Sequence, residues 1–408
     1  MHVPHTRERV PVITGLGVVS PLGNSFAEVA GNLLAGRSGV CEVAAASGAR
    51  EGRQFAAPVT SIPQPAGPGC ADFASLGRLE QLCLAPAAAA FADAAVAAAV
   101  PPERIGIVLG IGAEQLKAWE LDFLAGGRRV FEPHRSETLV HRIARRLGIA
   151  GPAVAVAAAC ASSGYAMALG RTWLDAGHVD ACLVGGCDIL SPTAIAAFYN
   201  LRALSRRSDD PHKASRPFDR DRDGFVMAEG GAFFVLERRD AANRRGARAY
   251  GELAGVGMSS DAHHMVTPCS DPQEAARAIT LALADAGLEP GDVDYINAHA
   301  AGTPVGDAAE AGAIRLAFGQ AADTIPVSST KSMSGHLVSG AAAFEAVACL
   351  AAMHREAVPP TVNLDAIDPA CALDHVPHAA RPHRVRIAAS NSFGFGGANL
   401  CLVIRQAA

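Results

Sequence analysis

The amino-acid sequence predicts an α/β protein, because short apolar runs typical of strands alternate with segments of helical periodicity along its 408 residues. Half of the residues are hydrophobic and 18% are charged, a composition that favours a compact fold with well-covered sheets over a disordered chain. Aromatic residues make up only 5%, so we expect a core packed mainly by small and aliphatic side chains.

The predicted elements alternate along most of the chain. Apolar runs predict strands over residues 10–19, 104–110, 153–159, 181–184, 232–237, 249–258, 293–299, 325–328 and 399–404. Apolar positions that recur every three or four residues predict helices over residues 26–35, 79–99, 163–176, 273–286, 307–318 and 341–354. Residues 41–76, which contain several Pro, Gly and Ala, are expected to form a surface excursion.

Two internal similarities indicate that the chain consists of two halves of similar plan. VITGLGVV near the start resembles ELAGVGMSS, which begins at Glu252, since each is a strand with paired glycines. Residues 153–170 and 326–346 each combine an apolar strand, a reactive side chain and a helix rich in Ala and Gly. We therefore expect an N-terminal half over residues 1–248 and a C-terminal half over residues 249–408.

Composition and charge argue against several classes of function. The formal net charge of −5 does not favour nucleic-acid binding. The first residues lack the features of a secretory signal, and the most membrane-like stretch, residues 86–100, contains Asp93 and is shorter than the roughly 18 apolar residues that a span needs. The ten cysteines include no CxxC pair and no zinc-like cluster with histidine, so neither a disulfide framework nor a metal site is expected. A cytoplasmic protein that does not enter the membrane is predicted.

Cys160 is the strongest candidate for a nucleophile. It ends a run of small and β-branched residues and is followed by Ala161, Ser162, Ser163 and Gly164, which suit a tight turn from a strand into a helix. A helix N-terminus favours the thiolate, but the helix dipole supplies only roughly 0.3–2 kcal/mol. Cys160 therefore needs a second activating partner, most naturally a histidine. The alternative is a buried structural cysteine.

Two histidines occur in unusual settings. His299 ends a predicted strand and enters the turn-rich segment AAGTPVGD, which opens a helix at Asp307. Its ring is therefore expected at the carboxyl edge of the sheet, where open α/β folds bind ligands. His336 lies in STKSMSGHLVSG, between Lys331 and Glu345. The alternative for either residue is a hydrogen-bonded core or surface histidine.

Residues 391–399, NSFGFGGAN, hold three glycines around Phe393 and Phe395. Glycine permits positive φ and a close approach of the backbone, so such a loop can offer backbone N–H groups to a substrate oxygen. The segment has neither the strand-to-helix geometry of GxGxxG nor a GK[ST] sequence, which argues against a phosphate-binding loop. The alternative is a plain turn before the last strand.

In this order and at this spacing, the segments resemble the β-ketoacyl synthase family, most closely the elongating type II synthases of fatty-acid and polyketide pathways. The resemblance spans residues 12–399 and implies a thiolase-like fold, in which two similar halves form a layered α/β/α/β/α architecture. The matching pieces are VITGLGVVSPLGN, AAACASSGYA, LVGGCDILSPTAIAAFYNLRALS, KASRPFDRDRDGFVMAEGG, YGELAGVGMSSDAHHM, INAHAAGTPVGDAAEA, SSTKSMSGHLVSGAAAFE, VPPTVNLD and NSFGFGGAN.

The resemblance also implies the roles of individual residues. It makes Cys160 the nucleophile that carries the acyl chain. It makes His299 and His336 the pair that handles the malonyl unit. Lys331 and Glu345 match the positions that orient the second histidine.

Further positions match the surroundings of the family's site. Phe393 matches the gating residue whose backbone N–H joins that of the nucleophile in the oxyanion hole, in a loop that includes Gly394 and Phe395. Arg202 and Asp261 match loop positions that help to open the acyl channel. The residues matched to substrate-binding positions are Thr303, Phe225, Phe198 and Ala113.

The reaction that the resemblance implies is a decarboxylative condensation. An acyl chain passes from the phosphopantetheine of an acyl carrier protein to Cys160, and malonyl-carrier protein then supplies the carbanion; no bound cofactor or metal is implied. The implied partners are the carrier protein and a second synthase-like subunit, in a homodimer or a heterodimer whose interface lies beside the Cys160 strand. Two alternatives stay open: an acyltransferase on the same fold that does not decarboxylate, and a non-catalytic partner subunit like a chain-length factor.

One segment departs from the family pattern. Relatives have His-Gly-Thr-x-Thr after the first histidine, whereas this chain reads His299, Ala300, Ala301, Gly302 and Thr303. Loss of a hydroxyl at Ala301 is expected to weaken binding of the pantetheine arm by about 0.5–1.5 kcal/mol. A positive φ at Ala300 would add roughly 1–2 kcal/mol of strain, unless Gly302 takes up that strain through a shifted turn.

Pairs of basic residues are candidates for the docking site of the carrier protein despite the negative net charge. The alternative for each pair is a solvated surface without a partner. The pairs are Arg128 with Arg129, Arg206 with Arg207, and Lys213 with Arg216.

Overall fold

A computed structural model describes residues 10–43, 54–127 and 137–407. Its strands are β1 (Pro11–Val19), β2 (Cys41–Val43), β3 (Gln54–Ala56), β4 (Ile105–Gly110), β5 (Ala153–Val156), β6 (Ala181–Asp188), β7 (Gly230–Arg238), β8 (Gly251–Ser260), β9 (Tyr295–Asn297), β10 (Val327–Ser328), β11 (Ala357–Val358), β12 (Arg381–Pro382), β13 (Ile387–Gly394) and β14 (Ala398–Arg405). Its α-helices are α1 (Phe26–Leu34), α2 (Arg78–Ala94), α3 (Ala113–Leu124), α4 (Leu139–Leu147), α5 (Ser162–Asp175), α6 (Pro192–Asn200), α7 (Arg239–Arg244), α8 (Gln273–Ala286), α9 (Pro304–Phe318), α10 (Lys331–Ser334) and α11 (Ala341–Arg355).

Ten strands form one large sheet, in the order β10-β9-β13-β14-β8-β1-β7-β6-β4-β5. The first five of these come from the C-terminal part of the chain and the last five from the N-terminal part. Antiparallel pairs of Val12 with Glu252 and of Ile13 with Gly251 join the two sets. In each set three strands run parallel, namely β5-β4-β6 and β10-β9-β13, and the next strand, β7 or β14, runs antiparallel to both of its neighbours. The two halves therefore share one plan.

Helices cover both faces of each set of strands and produce five layers. On the outer face of the N-terminal strands, α2 and α4 contribute Leu82 and Ile143 to one buried cluster. Between the two sets, α5 and α11 contribute Met167 and Phe344 to a cluster that includes residues of both halves. On the outer face of the C-terminal strands, α8 and α9 form a third cluster, which includes Ile314. This arrangement confirms the predicted α/β/α/β/α architecture.

The paired glycines of the first internal similarity have a packing role. A Cβ added at Gly15 or Gly17 of β1 would lie 2.1 Å or 2.0 Å from carbonyl oxygens of α2. At Gly255 or Gly257 of β8 it would lie 2.2 Å or 2.0 Å from carbonyl oxygens of α8. Only glycine allows a strand and a helix to approach so closely, so both halves use the same contact. The boundary between residues 248 and 249 stays a prediction.

Several elements differ from those that the sequence predicts. β13 is not predicted, because IAASNSFG is composed largely of small and polar residues, and its pairing with β9 and β14 makes it a strand. α3, α4 and α6 are also absent from the prediction. α9 begins at Pro304 rather than at Asp307, and β5 ends at Val156, three residues before the predicted end. Within the predicted surface excursion, residues 44–53 lie outside the described residues.

All ten cysteines are free thiols, in agreement with their irregular spacing. In the three described ranges, no helix combines the length and the apolar character that a membrane crossing requires.

Candidate active site

Cys160 lies in a tight turn between β5 and α5. Ala159 adopts a φ of 48° in this turn, directly before the cysteine. The Ser162 hydroxyl closes the turn, since its Oγ accepts the Ala158 N–H at 2.9 Å and donates to the Ala159 carbonyl at 2.6 Å. Cys160 is 6% exposed and lies at the N-terminus of α5, as the sequence predicts.

His336 faces the sulfur of Cys160. Its Nε2 atom lies 3.0 Å from Cys160 Sγ. The backbone N–H of His336 donates to the Val226 carbonyl at 2.8 Å. The Val338 N–H donates to Nδ1 of the ring at 3.2 Å, so Nδ1 is an acceptor and the neutral ring carries its proton on Nε2. His336 therefore offers an N–H donor, rather than a base, to the space beside Cys160.

His299 follows β9 at the edge of the sheet and reaches the same space. The centroids of the His299 and His336 rings are 5.4 Å apart, and the rings are inclined at 79°. Glu310 of α9 accepts the backbone N–H of His299 at 2.8 Å and that of Ala300 at 2.6 Å. The side-chain ligand atoms of Cys160, His299 and His336 lie within 4.8 Å of one another. The structure thus brings together the three residues that the sequence singles out.

Burial determines the charge of these three groups. It raises the pKa of the Cys160 thiol to about 12, against the opposing positive charge of Lys331. It lowers the pKa of both His299 and His336 well below the usual range of imidazole, and the charge of Lys331 lowers both further. At neutral pH the site therefore holds a thiol and two uncharged rings. The helix N-terminus does not make Cys160 a thiolate, which agrees with the small magnitude of its dipole effect.

Lys331 and Glu345 form a buried ion pair near the thiol. Each side chain is 2% exposed, and Lys331 Nζ contacts Glu345 Oε1. The Ser392 hydroxyl lies 3.4 Å from the other carboxylate oxygen. The Val338 backbone N–H donates a hydrogen bond that orients the His336 ring, and the implied orienting role of Lys331 and Glu345 stays a prediction. Lys331 acts on the rings through its charge.

The glycine-rich segment is the hairpin between β13 and β14, and it contacts the Cys160 turn. A Cβ added at Gly394 would lie 2.7 Å from the Ala158 carbonyl oxygen and 3.3 Å from Cys160 N. The backbone of Phe395 forms a hydrogen bond to the Cys160 thiol. Phe393, by contrast, is still within β13 and pairs with Asn399. The implied role of the Phe393 N–H is therefore corrected in favour of Phe395, because the chain must leave the strand ladder before its N–H groups can turn to the sulfur.

A cleft of about 310 Å³ opens onto the three reactive side chains. A series of aromatic contacts forms part of its wall. The ring of Phe225 lies 5.1 Å from that of His336, Phe198 lies 5.2 Å from Phe225, and Phe395 lies 5.8 Å from Phe198. The predicted aromatic positions therefore line one continuous apolar surface that begins at the imidazole of His336.

Other predicted positions divide between the cleft and the core. Thr303, Arg202 and Asp261 line the cleft. Asp261 holds the glycine-rich hairpin, since its carboxylate accepts the Asn399 side-chain amide at 2.6 Å. Ala113 is not among the residues that line this cleft; it is buried in the outer cluster of the N-terminal half, and its implied place in the acyl pocket stays a prediction.

The departure from the family pattern causes no strain at Ala300. The positive φ of this segment belongs to Gly302, at 89°, whereas Ala300 is not among the residues with positive φ. Ala301 is buried and packs with Phe225 and Met227, so this position presents an apolar surface.

The basic pairs differ in availability. Arg216 is buried and forms ion pairs with Asp219 and Asp365, which removes it from the candidate docking surface. The guanidinium of Arg206 lies over the ring of Tyr199, 5.4 Å from its centroid. Arg128 and Arg129 lie outside the described residues.

Among the residues that the structure describes, Cys160, His299 and His336 are also the group spaced to hold a metal ion. Coordination through Nε2 of His336 would move the ring proton to Nδ1, against the N–H of Val338. The contact of Nδ1 with the Val338 N–H therefore disfavours coordination through Nε2 of His336.

Glu310 is a residue of the site that the sequence reasoning missed. It is buried, and its two carboxylate oxygens accept the backbone N–H groups of His299 and Ala300. Its position in the predicted helix could have identified it, because residues 307, 310, 311 and 314 share the buried face of α9. An acid on an apolar helix face usually has a specific partner.

Comparisons with known proteins agree with this site. Beta-ketoacyl synthase, N-terminal domain, matches residues 8–242, and Beta-ketoacyl synthase, C-terminal domain, matches residues 250–365. The 3-oxoacyl-[acyl-carrier-protein] synthase 2 of Synechocystis sp. is 38% identical over 97% of this chain and 97% of its own length. The chain therefore belongs to the β-ketoacyl synthase family, whose members are acyltransferases that form carbon–carbon bonds.

Two solved structures are similar over nearly the whole chain. One is a type II PKS acyl-carrier protein in complex with its ketosynthase bound to the hexaketide, with 30% identity and a TM-score of 0.87 over 98% of this chain and 100% of that chain. The other is the ishigamide ketosynthase/chain length factor, with 32% identity and a TM-score of 0.85 over 98% of this chain and 100% of that chain. The fold is accordingly thiolase-like.

Proposed function

We propose that this protein condenses an acyl chain held on Cys160 with a malonyl unit held on an acyl carrier protein, with loss of CO2. The observation that carries the proposal is the meeting of one buried thiol with two uncharged imidazoles, Cys160 Sγ lying 3.0 Å from His336 Nε2. A thiol supplies the acyl acceptor and neutral N–H groups supply stabilisation for an enolate.

In the first half-reaction the acyl chain moves to the cysteine. The Cys160 sulfur attacks the thioester carbonyl of the acyl-carrier protein, and the backbone N–H groups of Cys160 and Phe395 donate hydrogen bonds to the developing oxyanion. The phosphopantetheine thiol leaves with the proton that the cysteine releases. The positive charge of Lys331 favours the transient thiolate, since it opposes the effect of burial on the Cys160 pKa.

In the second half-reaction malonyl-carrier protein enters the emptied cleft. Its thioester oxygen accepts hydrogen bonds from the rings of His299 and His336, and the carbon–carbon bond to the carboxylate breaks to release CO2. The resulting enolate carbon attacks the Cys160 thioester, which yields a β-ketoacyl-carrier protein and a thiolate that takes up one proton. The low pKa of both histidines keeps the rings uncharged in this step.

The proposed partners are the carrier protein and a second ketosynthase-like subunit. β5 is the terminal strand of the large sheet, and it leads directly into the Cys160 turn. Its Val154 is 38% exposed, so this edge of the sheet is open and apolar. Unpaired strand edges of this kind readily pair with another chain. β5 is therefore the proposed contact with the second subunit, in a homodimer or a heterodimer, and the cytoplasmic location stays a prediction.

Two other functions are less well supported. A non-catalytic partner subunit would not need a thiol and two imidazoles within 4.8 Å of one another. An acyltransferase that does not decarboxylate would use the thiol and the oxyanion donors, but it would leave the paired neutral rings without a role.

Intact-mass measurement tests the proposal. We expect the purified protein to gain the mass of one acyl group on exposure to an acyl-carrier donor, and to lose it on addition of malonyl-carrier protein while labelled CO2 is released. Cys160→Ala should gain no acyl mass. Acylation without release of CO2 would favour the acyltransferase, and an absence of acylation would favour the partner subunit.

A further inference from the structure

The turn that follows His336 contains an unusual backbone conformation. Val338 adopts a φ of 45°, in the left-handed region that β-branched residues rarely occupy. Its N–H is the group that donates to Nδ1 of His336, at 3.2 Å. The residue that determines the tautomer of the histidine is therefore itself held in a strained conformation, and strain of this kind persists only where the surroundings impose it.

Asp188 supplies the contact that holds this turn. It is the last residue of β6 and is 6% exposed. One carboxylate oxygen accepts the Ser339 N–H at 3.0 Å, and the other accepts the Ile189 N–H at 2.8 Å. The Ser339 hydroxyl oxygen in turn accepts the Gly112 N–H at 3.0 Å. The peptide after Val338 is thus fastened to two separate strand ends.

We propose that Asp188 is a positioning residue for the condensation. Its carboxylate holds the Val338 turn in the left-handed conformation, which directs the Val338 N–H to Nδ1 of His336 and keeps the ring proton on Nε2, where it can donate to the malonyl thioester. This inference rests on the proposed function for its catalytic consequence, whereas the tautomer of His336 can be observed without substrate.

The charge of Asp188 has a separate and opposite effect. Burial is the main cause of the raised pKa of Cys160, and the negative charge of Asp188 raises it further. Removal of that charge therefore favours the thiolate and does not slow acylation. A selective loss of decarboxylation in an Asp188 variant would thus point to the turn and not to the nucleophile.

Asp188→Asn tests the role with little change of shape. An amide has one acceptor oxygen, so one of the two backbone N–H groups now faces an NH2 group. We expect release of CO2 from malonyl-carrier protein to slow by about ten-fold, with no slower acylation of Cys160. Adding Val338→Gly should restore most of the lost rate, because glycine takes positive φ without strain and the turn then needs less support.

The 15N spectrum of the histidine-labelled free protein provides a readout that a merely structural role would not move. The wild-type protein and the Asp188→Asn/Val338→Gly variant should show His336 with its proton on Nε2, and Asp188→Asn should show a population with the proton on Nδ1. The His336 signals are assigned from their loss in His336→Gln.

Asp294→Asn is the control for removal of a carboxylate charge elsewhere in the fold, because one oxygen of Asp294 accepts the backbone N–H groups of both Arg386 and Ile387 and the amide oxygen of Asn can keep both bonds. It should change neither the tautomer nor the rate. An unchanged tautomer in Asp188→Asn, or a rate that Val338→Gly does not restore, would overturn the proposal. If the wild-type protein releases no CO2, the proposed function fails, and the spectra alone decide the role of Asp188.

Discussion

The Cys160 turn and the His336 turn each place a reactive side chain beside a non-glycine residue with positive φ, but they are held in different ways. Ala159, at 48°, precedes the cysteine, and Val338, at 45°, follows the histidine. The Cys160 turn is closed mainly from within, by the hydroxyl of Ser162. The His336 turn is held by residues distant in the chain, including Asp188.

The difference reflects the tasks proposed for the two side chains. A nucleophile at a helix N-terminus needs a tight turn and space for its substrate, and small residues with one capping hydroxyl provide both. A hydrogen-bond donor needs its proton on one particular nitrogen, and another part of the structure must supply the partner for the other nitrogen. Lys331 connects the two turns, because its charge lowers the pKa of Cys160 and of both histidines.

Breaking the ion pair of Lys331 with Glu345 should have the largest effect, because it removes the link between the two turns. Lys331→Met and Glu345→Gln each leave a buried charge without its partner. We expect the free energy of unfolding to fall by about 3–5 kcal/mol in both variants, as measured by urea denaturation. Lys213→Met, at an exposed position, should leave the free energy of unfolding nearly unchanged.

The same two variants should change the reactivity of Cys160 in opposite directions. Burial raises the pKa of the thiol to about 12; the charge of Lys331 lowers it and that of Glu345 raises it. Between about pH 7 and 9, the rate of alkylation of wild-type Cys160 should rise about ten-fold per pH unit. At each pH, Lys331→Met should be alkylated more slowly than the wild-type protein and Glu345→Gln faster. Equal shifts in both variants, or a wild-type plateau in this range, would contradict the electrostatic role of the pair.

Gly394→Ala should disrupt the Cys160 turn from outside. The new Cβ would lie 2.7 Å from the Ala158 carbonyl oxygen, so the hairpin must move and carry the Phe395 N–H away from the sulfur. Loss of an oxyanion donor typically costs about 10²–10³ in rate, and we expect a fall of this order in the rate of Cys160 acylation.

Gly396→Ala is the comparison for this change within the same hairpin. No atom lies within 4 Å of its added Cβ, although its φ of +81° makes alanine unfavourable. It should therefore show the cost of φ alone, roughly 1–2 kcal/mol. If the acylation rate of Gly396→Ala falls as far as that of Gly394→Ala, the close contact with the Ala158 carbonyl is not the cause of the slower acylation.

Ser162→Ala should have the smallest effect and should act on one turn only. It removes the two hydrogen bonds that close the Cys160 turn, each worth about 1 kcal/mol, so we expect modestly slower acylation and a lower free energy of unfolding. The tautomer of His336 should not change. Thr172→Ala removes a hydroxyl that donates to the Ala168 carbonyl within α5 and serves as the control. An equal effect of Thr172→Ala would show that Ser162 has no special role.

The sequence is most informative where structure is local. Small residues and helical periodicity predict the turn at Cys160 and the helix that follows it, and α5 begins one residue from the predicted start. β13 is not predicted, because its residues lack a strand pattern. They form a strand through pairing with β9 on one side and β14 on the other. The choice of Phe395 over Phe393 as the residue that contacts Cys160 depends on where that strand ends, so it is missed for the same reason.

The amino-acid sequence by itself determined the α/β class, the two related halves and the side chains available for chemistry, because periodicity, small-residue turns and side-chain identity are properties of short segments. The tertiary structure decided that Cys160 and His336, 176 residues apart, lie in contact, and that their site holds a neutral thiol and two neutral rings. Contact distance, desolvation and the tautomer of His336 all depend on groups that distant parts of the chain bring together, and no local pattern specifies them.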